Sequence, residues 1–404
     1  MQINELFFDD RSFIQRPLDE DTPQTHWTAS CQLVILQLAS LLTDPICKVR
    51  EHVYLMKLVP LSNASEKIKK VAYFVLGLTM AAYAVIAPIA APIGALLRKI
   101  ASLFSSTIYT HERGPLAKKV IPGPSITLVS YNVCYMPGGY AVSDGGVPPP
   151  SFNNRKRIME NNELIHDILK PDIVCLQEVP DIADAQFISS QFSDYPFIIP
   201  VAGIKAIGPS SMMYVASKCE IVAHSIEFTP FVKGTEVTGR AASSEKGFLS
   251  FDLKDTHVSI ICTHLQHSEI PAKAEPMDIT SRKLQMLKIA EKIQEKRNEG
   301  KIVIFTGDLN QEEKELYDTL EQEIFENLKL QRDPLVENIP TWGGDAWCAK
   351  LEGKEPSPSL VLDYTFAAGA KKITTAVIDV GFKGDEFRFH ALSDHKPIYS
   401  TVVL

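Results

Sequence analysis

The run KIVIFTGDLN, residues 301–310, predicts a buried strand that ends among polar side chains. Ile302 to Phe305 are β-branched or aromatic, as is typical of a strand in a sheet interior. We expect Gly307 to turn the backbone out of the sheet and to leave Asp308 and Asn310 just past the strand end. A buried carboxylate needs a partner, and an acid and an amide two residues apart suit a phosphate and metal site. Taken alone, the run is equally consistent with a simple Asp-x-Asn turn.

Five other predicted strand ends carry the same kind of polar residue inside or beside an apolar run. A glutamate in such a position is seldom buried without a cation or several donors. Each residue alone has an ordinary structural explanation, namely a loop cap, a core histidine or a turn aspartate. Because sheet edges bring such residues together, one polar site explains them better than independent placements do. They are Asn132 in SYNV (130–133), Glu178 in IVCLQEV (173–179), His264 in IICTHL (260–265), Asp363 in LDY (362–364), and Asp394 and His395 in SDHKP (393–397).

Such a site could hydrolyse a phosphate ester. We expect Glu178 to hold Mg²⁺, because a carboxylate is a hard ligand for a hard cation, and the metal would neutralise the phosphoryl and leaving oxygens. One histidine would activate water while a carboxylate fixes its tautomer, and the second would lie near the leaving group or the phosphate. The sequence has no glycine-rich P-loop, which argues against nucleotide-driven transfer, and no Cys/His cluster with zinc spacing.

The distribution of charges and cysteines bears on the type of binding partner and on the cellular compartment of the protein. The net charge of −8 is uneven: residues 1–125 carry 13 Lys+Arg and 10 Asp+Glu, whereas residues 126–404 carry 28 and 39. A protein that follows a nucleic-acid backbone usually presents a basic face, so the acidic C-terminal part argues against that partner. Seven cysteines include no CxxC pair. Cys134, Cys175 and Cys262 fall in or beside apolar runs, which favours core thiols and a reducing compartment.

The N-terminal third contains a segment long enough to cross a membrane. Residues 71–97 run for 27 positions without a charge, and about 20 apolar residues span a ~30 Å hydrocarbon core. Basic residues flank the segment on both sides, which suits both ends on one face and sets no orientation. A shorter apolar run, residues 31–42, is too short to span comfortably as a helix. Pro88 and Pro92 also permit a kink or a re-entrant hairpin, and a hairpin buried in a soluble protein is a further alternative.

Chain breakers and charges predict a linker at residues 99–124, between a membrane-associating region, residues 1–98, and a catalytic domain, residues 125–404. In that domain, two early helical patterns and many adjacent strands argue against a purely parallel sheet. We predict an α/β (α+β) fold: a four-layer α-β-β-α sandwich of two mixed sheets, preceded by a hydrophobic helical N-terminal region. Strands are predicted at 126–133, 173–179, 212–217, 248–253, 258–265, 302–309, 360–367, 373–380 and 397–403, and helices near 154–169, 182–192, 278–297 and 312–328.

Six motifs occur in the order found in the endonuclease/exonuclease/phosphatase superfamily, which residues 125–404 resemble: SYNVC (130–134), LQEV (176–179), THLQ (263–266), GDLN (307–310), LDY (362–364) and SDHKP (393–397). Within it, the chain is most similar to membrane-associated neutral sphingomyelinases, in which two hydrophobic segments also precede the catalytic domain. MYVASKCEIV (213–222), Lys246-Gly247 and PTWGGDAWCAK (340–350) are similar to sphingomyelinase segments as well. The resemblance implies a Mg²⁺-dependent phosphodiesterase that cleaves sphingomyelin to ceramide and phosphocholine at a membrane.

The resemblance also assigns the metal and the substrate contacts. It implies that Glu178 is the Mg²⁺ ligand, assisted by Asn132, and that Asp394 lies on the metal side of the same site, with Mn²⁺ as an alternative metal. It implies that Asp308 and Asn310 position the nucleophilic water and the phosphate. Asn132 is then a substrate contact as well as a metal-side residue.

The same resemblance gives the two histidines different roles. His395 is implied to be the general base, oriented by Asp363. His264 corresponds to the second catalytic histidine, which acts as an acid or as a contact to the phosphate of the substrate. Asp394 directly precedes the general base in the chain.

Other functions are also consistent with the sequence. A phosphoinositide or inositol-phosphate phosphatase fits SDHKP equally well, but WCAK (347–350) lacks the acid and the arginine of that group's Trp-Cys-Asp-Arg signature. A nuclease of the same superfamily is disfavoured by the acidic domain and the apolar segment. An alternative of another class is a membrane-embedded interaction protein with an inactive domain, although every expected catalytic position is filled. We expect a membrane-associated protein with a phospholipid as its partner, and a catalytic domain that is in a reducing compartment or faces the cytosol.

Overall fold

The computed structural model describes residues 26–61, 64–105, 107–111, 120–136, 154–180, 182–204, 208–232, 237, 241–242, 244–268, 275–319, 326–343, 359–379 and 392–404. Two long N-terminal helices, α1 (His26–Leu58) and α2 (Glu66–Ala101), come first. They are antiparallel, because His52 of α1 contacts Tyr83 of α2 with ring centroids 5.4 Å apart, while Gly94 of α2 lies against Ala39. The pair is called the helical hairpin below.

Both helices of the hairpin are longer than the apolar runs that predict them. The run at 31–42 is part of a helix that continues through Pro45, and Cys31–Lys57 is long and apolar enough to cross a membrane by length and composition. The same holds for Glu66–Ala101, which is continuous through Pro88 and Pro92. The turn of the hairpin therefore lies between α1 and α2, and not inside residues 71–97.

The hairpin leaves most of its apolar surface exposed. Only 11% of the most apolar stretch of α2 is buried, and 28% of that of α1. Phe74, Val85 and Ile89 of α2 are each at least 70% exposed. A core helix of a soluble protein buries such side chains, so a hairpin buried in a soluble core is not what the described residues form.

Thirteen strands among the described residues form two mixed sheets. In chain order they are β1 Thr107–His111, β2 Ser125–Asn132, β3 Ile173–Gln177, β4 Phe197–Ala202, β5 Tyr214–Ser217, β6 Glu227–Pro230, β7 Gly247–Asp252, β8 Val258–His264, β9 Ile302–Asp308, β10 Leu330–Gln331, β11 Asp363–Ala368, β12 Lys372–Val377 and β13 Ile398–Val403. The first sheet has the order β1-β4-β5-β3-β2-β13-β12, and the second has the order β10-β11-β9-β8-β7-β6. One pair in each sheet is parallel, β2 with β3 and β8 with β9.

Helices cover the outer face of each sheet. α3 (Asn154–Asn162), which continues as a π-helix over Glu163–Leu169, and α4 (Ile182–Gln191) lie on the first sheet. α5 (Pro276–Asn298) lies on the second, and α6 (Glu313–Thr319) follows β9. The inner faces of the two sheets pack against each other through an apolar cluster that includes Leu128, Cys175, Ile260 and Ile304. The predicted four-layer α-β-β-α sandwich is confirmed.

Some elements differ from the sequence prediction. The predicted linker, residues 99–124, contributes β1, which pairs with β4 at the edge of the first sheet. β4 itself was not predicted, because Pro200 inside its apolar run is atypical of a strand; the short β6 and β10 were not predicted either. Part of the helix predicted near 312–328 is present as α6, and residues 320–325 lie outside the described part of the chain.

The hairpin is attached to the two-sheet domain by packing and hydrogen bonds. Gln32 of α1 donates from Nε2 to the carbonyl oxygen of Ser105, directly before β1, at 2.7 Å. The same nitrogen donates to the carbonyl oxygen of Ala101 at 3.0 Å, a bond within the hairpin that joins α1 to the end of α2. Gln37 of α1 donates to Gln186 of α4. One apolar cluster joins the two parts of the chain and contains Leu33, Leu36, Ala101, Ile108, Ile182, Val201 and Ile204.

Candidate active site

Strand register brings three predicted site residues side by side in the second sheet. His264, the last residue of β8, is paired with Asp308, the last residue of β9. Asp308 is in turn paired with Asp363, the first residue of the antiparallel strand β11. Gly307 does not turn the backbone out of the sheet as predicted but stays inside β9, where a Cβ would lie 2.1 Å from the Thr263 carbonyl oxygen. Glycine is therefore required for β9 to approach β8 directly before Asp308.

Asn132 links the two sheets. It ends β2 of the first sheet, and its Nδ2 donates to Glu178 Oε1 at 3.1 Å and to Asp308 Oδ2 at 2.9 Å. The same nitrogen lies 3.4 Å from His395 Nε2, while Asn132 Oδ1 accepts from the backbone N–H of Cys134 at 3.1 Å. In this orientation Asn132 fixes two carboxylates by donation, and its role as a metal ligand stays a prediction.

Glu178 is a partly buried carboxylate in an electrostatically unfavourable position. It directly follows β3, with φ +61°, a left-handed conformation that is rare for a non-glycine residue. Its side chain is 22% exposed. Burial, and then the neighbouring Asp394 carboxylate, raises the pKa of Glu178 from 4.5 to about 7. Asp394 itself accepts from Trp342 Nε1 at 3.2 Å, and its role on the metal side of the site stays a prediction.

His395 and Asp363 form a hydrogen-bonded pair. Nδ1 of His395 lies 2.8 Å from Asp363 Oδ2, and Nε2 lies 3.6 Å from Asp308 Oδ2. Burial lowers the pKa of His395, but the Asp363 and Asp308 carboxylates outweigh it, so the pKa is well above its ordinary value. The carboxylate of Asp363 fixes the Nδ1–H tautomer and leaves Nε2 facing the other site residues. This is the arrangement predicted for the general base and its orienting acid.

His264 contacts the same carboxylate as His395. Its Nε2 is 3.5 Å from Asp308 Oδ2 and 3.9 Å from Glu178 Oε1. Burial, and then the Lys246 ammonium, lowers the pKa of His264 well below its ordinary value. The environment therefore separates the two histidines: the neighbouring carboxylates favour protonated His395, whereas burial favours neutral His264.

Asn310 lies beside the cluster in a second left-handed conformation, with φ +52°. Its backbone N–H donates to Asp308 Oδ1 at 2.9 Å, and its Nδ2 donates to the Leu265 carbonyl oxygen at 3.3 Å. The side chain is half-buried. Eight residues predicted for the site are thus all at the same end of the two sheets: Asn132, Glu178, His264, Asp308, Asn310, Asp363, Asp394 and His395.

The sequence analysis missed Lys246 as a site residue. Only 2% of Lys246 is exposed, and its Nζ donates to the Leu265 carbonyl oxygen at 3.0 Å, the same oxygen that accepts from Asn310. Burial lowers the pKa of Lys246 to about 8, against the opposing effects of Glu178 and Asp308. The only sequence signal was Lys246-Gly247 as part of the family resemblance, since a lysine before a strand ordinarily faces solvent.

Thr341 was also missed. Its Oγ1 accepts from the backbone N–H groups of Leu362 and Asp363, both at 3.0 Å. These bonds hold the start of β11, and hence the carboxylate that orients His395. Residues 344–350 of PTWGGDAWCAK lie outside the described part of the chain, and with them the WCAK comparison.

Potential ligand atoms of Asp308, Asp363 and His395 lie within 4.8 Å of one another and form a second possible cation position. Two of those atoms, His395 Nδ1 and Asp363 Oδ2, are already joined by a 2.8 Å hydrogen bond. Glu178 and Asp394, by contrast, are partly exposed carboxylates outside this set.

No protein family profile matches the chain, and no curated protein matches its sequence. Solved structures do match. SmcL superposes with a TM-score of 0.54 and 19% identity, over 70% of this chain and 100% of its own. Sphingomyelinase C from Streptomyces griseocarneus gives 0.51 and 20%, over 69% and 99%. A beta toxin variant from Staphylococcus aureus with bound magnesium ions gives 0.50 and 20%, over 68% and 99%.

The chain has the endonuclease/exonuclease/phosphatase fold. Identities near 20% establish the fold alone, so activity and substrate must be argued from the site. In this chain, the endonuclease/exonuclease/phosphatase fold brings residues from both sheets into one cluster, since Asn132 of β2 bonds directly to Asp308 of β9.

Proposed function

We propose that the protein is a membrane-associated, Mg²⁺-dependent phosphodiesterase that hydrolyses sphingomyelin to ceramide and phosphocholine. The observation that carries the proposal is the meeting of Glu178, Asn132 and Asp308 with two histidines whose Nε2 atoms both face the Asp308 carboxylate. Three proteins of the same fold include a sphingomyelinase C, which supports a phosphoric ester hydrolase. The order of the sequence motifs and the exposed hairpin support sphingomyelin as the substrate.

The residues fit a hard divalent cation. The Asp394 carboxylate lies close enough to Glu178 to disfavour the ionisation of Glu178, and this repulsion adds to burial in raising the pKa of Glu178 to about 7. A cation between carboxylates removes that penalty. Glu178 would hold Mg²⁺, with Asp394 on the same side and Asn132 fixing the carboxylate. A beta toxin variant of this fold binds magnesium ions, and Mn²⁺ prefers similar oxygen ligands.

The bound ion would supply positive charge that neutralises the phosphoryl and leaving oxygens. His395 Nε2 accepts a proton from the attacking water while Asp363 holds the opposite ring nitrogen. Asp308 and Asn310 orient the water and the phosphate. The bond from phosphorus to the ceramide oxygen breaks as the bond to the water oxygen forms, and the departing oxygen takes its proton from solvent. His264, whose ring is neutral, donates an N–H hydrogen bond to the departing oxygen or to the phosphate.

The histidine roles depend on the charge of the cation. In the metal-free protein, the carboxylates of Asp363, Asp308 and Asp394 favour protonated His395, whereas a general base must be neutral. A divalent cation held by Glu178 and Asp394 would oppose those carboxylates and would lower the pKa of His395 toward the working range. His395 Nε2 would then be free to accept the proton of the attacking water.

The hairpin supports membrane association. Its exposed apolar side chains, including Phe74, Val85 and Ile89, give it the surface of a segment that contacts lipid. Because α1, α2 and β1 share one apolar cluster with α4, the hairpin would hold the cleft near lipid headgroups.

Cys31, Cys47, Cys134, Cys175, Cys219 and Cys262 are free thiols, which supports a reducing compartment.

The proposal is tested with full-length protein and sphingomyelin liposomes, by measuring phosphocholine release with Mg²⁺ and with a chelator. We expect release that requires the metal, and loss of release in Glu178→Ala and in His395→Ala without unfolding. Glu220→Gln is the matched control, because Glu220 pairs with Lys254 on the surface at 2.7 Å and should keep full activity.

Two companion assays separate the alternatives. Phosphate release from an inositide panel, without phosphocholine release, would reassign the site to a phosphoinositide phosphatase, and nicking of plasmid DNA would reassign it to a nuclease. A folded protein inactive in all three assays would contradict the hydrolase proposal and favour an interaction protein with an inactive domain. Activity that survives both alanine substitutions would contradict the residue roles.

A further inference from the structure

Arg157 is fully buried beside the site and bonds to three backbone carbonyl groups. It lies on α3, with 0% of its surface exposed. Its Nη2 donates to the Val133 oxygen at 2.5 Å, its Nη1 to the Cys134 oxygen at 3.0 Å, and its Nε to the Leu392 oxygen at 2.9 Å. Val133 and Cys134 directly follow Asn132, and Leu392 comes three residues before His395. One guanidinium thus joins two segments that are distant in the chain and adjacent in the site.

The positive charge of Arg157 is stabilised in a different way from that of Arg282. Arg282 is also fully buried, and it forms a bidentate pair with Glu315 at 2.6 and 2.8 Å. No such acid pairs with Arg157 within the described ranges. Removing a charge from water is costly, so a residue chosen for packing alone would be apolar. A guanidinium is the side chain that presents several donors in one rigid plane, which is what three carbonyl groups in fixed positions require.

A second, smaller link joins the same two segments. Ser393 Oγ donates to the Asn132 carbonyl oxygen at 2.6 Å and accepts from the His395 backbone N–H at 3.2 Å. The segment after β2 also reaches the metal side, because the Tyr135 N–H donates to the Glu178 carbonyl oxygen at 3.0 Å. Displacement of either segment would therefore change the position of His395 relative to Asn132 and Glu178.

We propose that Arg157 is a positioning residue for the hydrolysis: it holds the segment that carries the general base in register with the segment that carries the metal-side residues. This inference rests on the proposed function. Arg157 does not contact the cleft side chains themselves; it acts through the backbone of residues 133–134 and 392. The distance that it controls is the 3.4 Å between Asn132 Nδ2 and His395 Nε2.

The test compares Arg157→Lys, Ser393→Ala and the double variant in the sphingomyelin assay. Lysine keeps the charge but cannot reach three carbonyl groups, and a displacement of about 1 Å in a catalytic group costs up to about a hundredfold in rate. We expect kcat to fall about tenfold to a hundredfold in Arg157→Lys and about threefold to tenfold in Ser393→Ala, with KM changed less than about threefold. Because both residues act on the same pair of segments, their effects on kcat should be non-additive.

Tyr195→Phe is the control for a buried bond to a carbonyl group away from the site. Tyr195 donates to the Pro171 oxygen at 2.7 Å, at the opposite end of β3 from Glu178. We expect this variant to lose some stability and to keep its kcat. If Arg157→Lys fails to fold, Ser393→Ala alone decides, since it removes one hydroxyl group from the same link.

Hydrogen–deuterium exchange gives a readout that does not depend on activity. In Arg157→Lys, we expect faster exchange both in peptides covering residues 130–136 and in those covering 392–398, with residues 258–268 unchanged. Wild-type kcat in folded Arg157→Lys, or additive effects of the two substitutions, would overturn the inference. A wild-type protein that releases no phosphocholine would instead refute the proposed function. The exchange experiment would then still show whether Arg157 links the two segments.

Discussion

Replacing Glu178 by glutamine is expected to stabilise the metal-free protein above pH 7 and to abolish its response to Mg²⁺. Burial and the Asp394 carboxylate raise the pKa of Glu178 from 4.5 to about 7. At about 1.4 kcal/mol per pH unit, an ionised Glu178 costs the folded state roughly 3 kcal/mol at pH 8. The side chain is 22% exposed, and glutamine keeps an oxygen for Asn132, so we expect a gain of roughly 1–3 kcal/mol.

The sign of the pH dependence follows from the raised pKa. Between pH 7 and 4.5 the folded protein binds a proton at Glu178 that the unfolded chain does not bind, so the stability contributed by this group rises as the pH falls. The advantage of Glu178→Gln should therefore be largest at pH 8 and shrink to below about 1 kcal/mol at pH 5.

The assay is urea unfolding in detergent, with a chelator or with Mg²⁺, at pH 8 and pH 5. At a Mg²⁺ concentration of about 100 times its Kd, wild-type protein should gain about 2.7 kcal/mol and Glu178→Gln nothing. Glu220→Gln is the control, because its exposed pair with Lys254 should contribute at most about 1 kcal/mol at either pH. A Glu178→Gln protein that is less stable than wild type at pH 8 would refute the destabilising burial of the Glu178 charge, and one that Mg²⁺ still stabilises would refute Glu178 as the metal ligand.

Three further substitutions test other parts of the structure. Asp363→Asn presents an amide to His395 Nδ1 in place of a carboxylate, and we expect kcat to fall about 10²- to 10⁴-fold in phosphocholine release. Gly307→Ala places a Cβ 2.1 Å from the Thr263 carbonyl oxygen, so we expect a loss above about 3 kcal/mol, read from the thermal unfolding midpoint. Phe74→Glu puts a charge on the exposed face of α2, which costs about 3 kcal/mol in hydrocarbon; liposome co-sedimentation should weaken while hydrolysis of detergent-dispersed substrate is unchanged.

Each of these three predictions has a result that would contradict it. Wild-type turnover in Asp363→Asn would show that the carboxylate does not orient the base. A normally stable Gly307→Ala would mean that β8 and β9 can separate without loss. Unchanged liposome binding in Phe74→Glu would exclude that face of α2 from lipid contact.

The sequence predicts that the side chains of the site lie together because each apolar run ends at a polar residue. Apolar runs that stop at Asn132, Glu178, His264 and Asp308 fix which residues stand at a sheet edge, and the parallel pairs put those edges together. Asp363 lies beside Asp308 because β11 pairs with β9, a strand distant in the chain. The sequence places Asp363 among the strand-end polar residues but does not predict which strands pair.

Other features were beyond sequence reasoning for physical reasons. The burial of Lys246 and Arg157 is decided by tertiary packing, and neither a lone lysine before a strand nor a lone arginine in a short helix carries a local signal. The strand β1 lies in a segment of chain breakers and forms because β4 offers it an edge to pair with. The length of α1 was underestimated because Asp44 and Pro45 interrupt its apolar run but not its helix.

The attachment of the hairpin to the first sheet has a consequence for the kinetics of the proposed reaction. Because α1 and α2 join the sheet through β1 and the cluster around Leu33 and Ile108, the cleft has a set height and tilt above a bilayer that holds the hairpin. An enzyme fixed to the bilayer in this way cannot contact lipids away from its own position, so substrate must arrive by lateral diffusion. Turnover would then follow the mole fraction of sphingomyelin in the surface, and diluting the vesicles at constant composition would leave it unchanged.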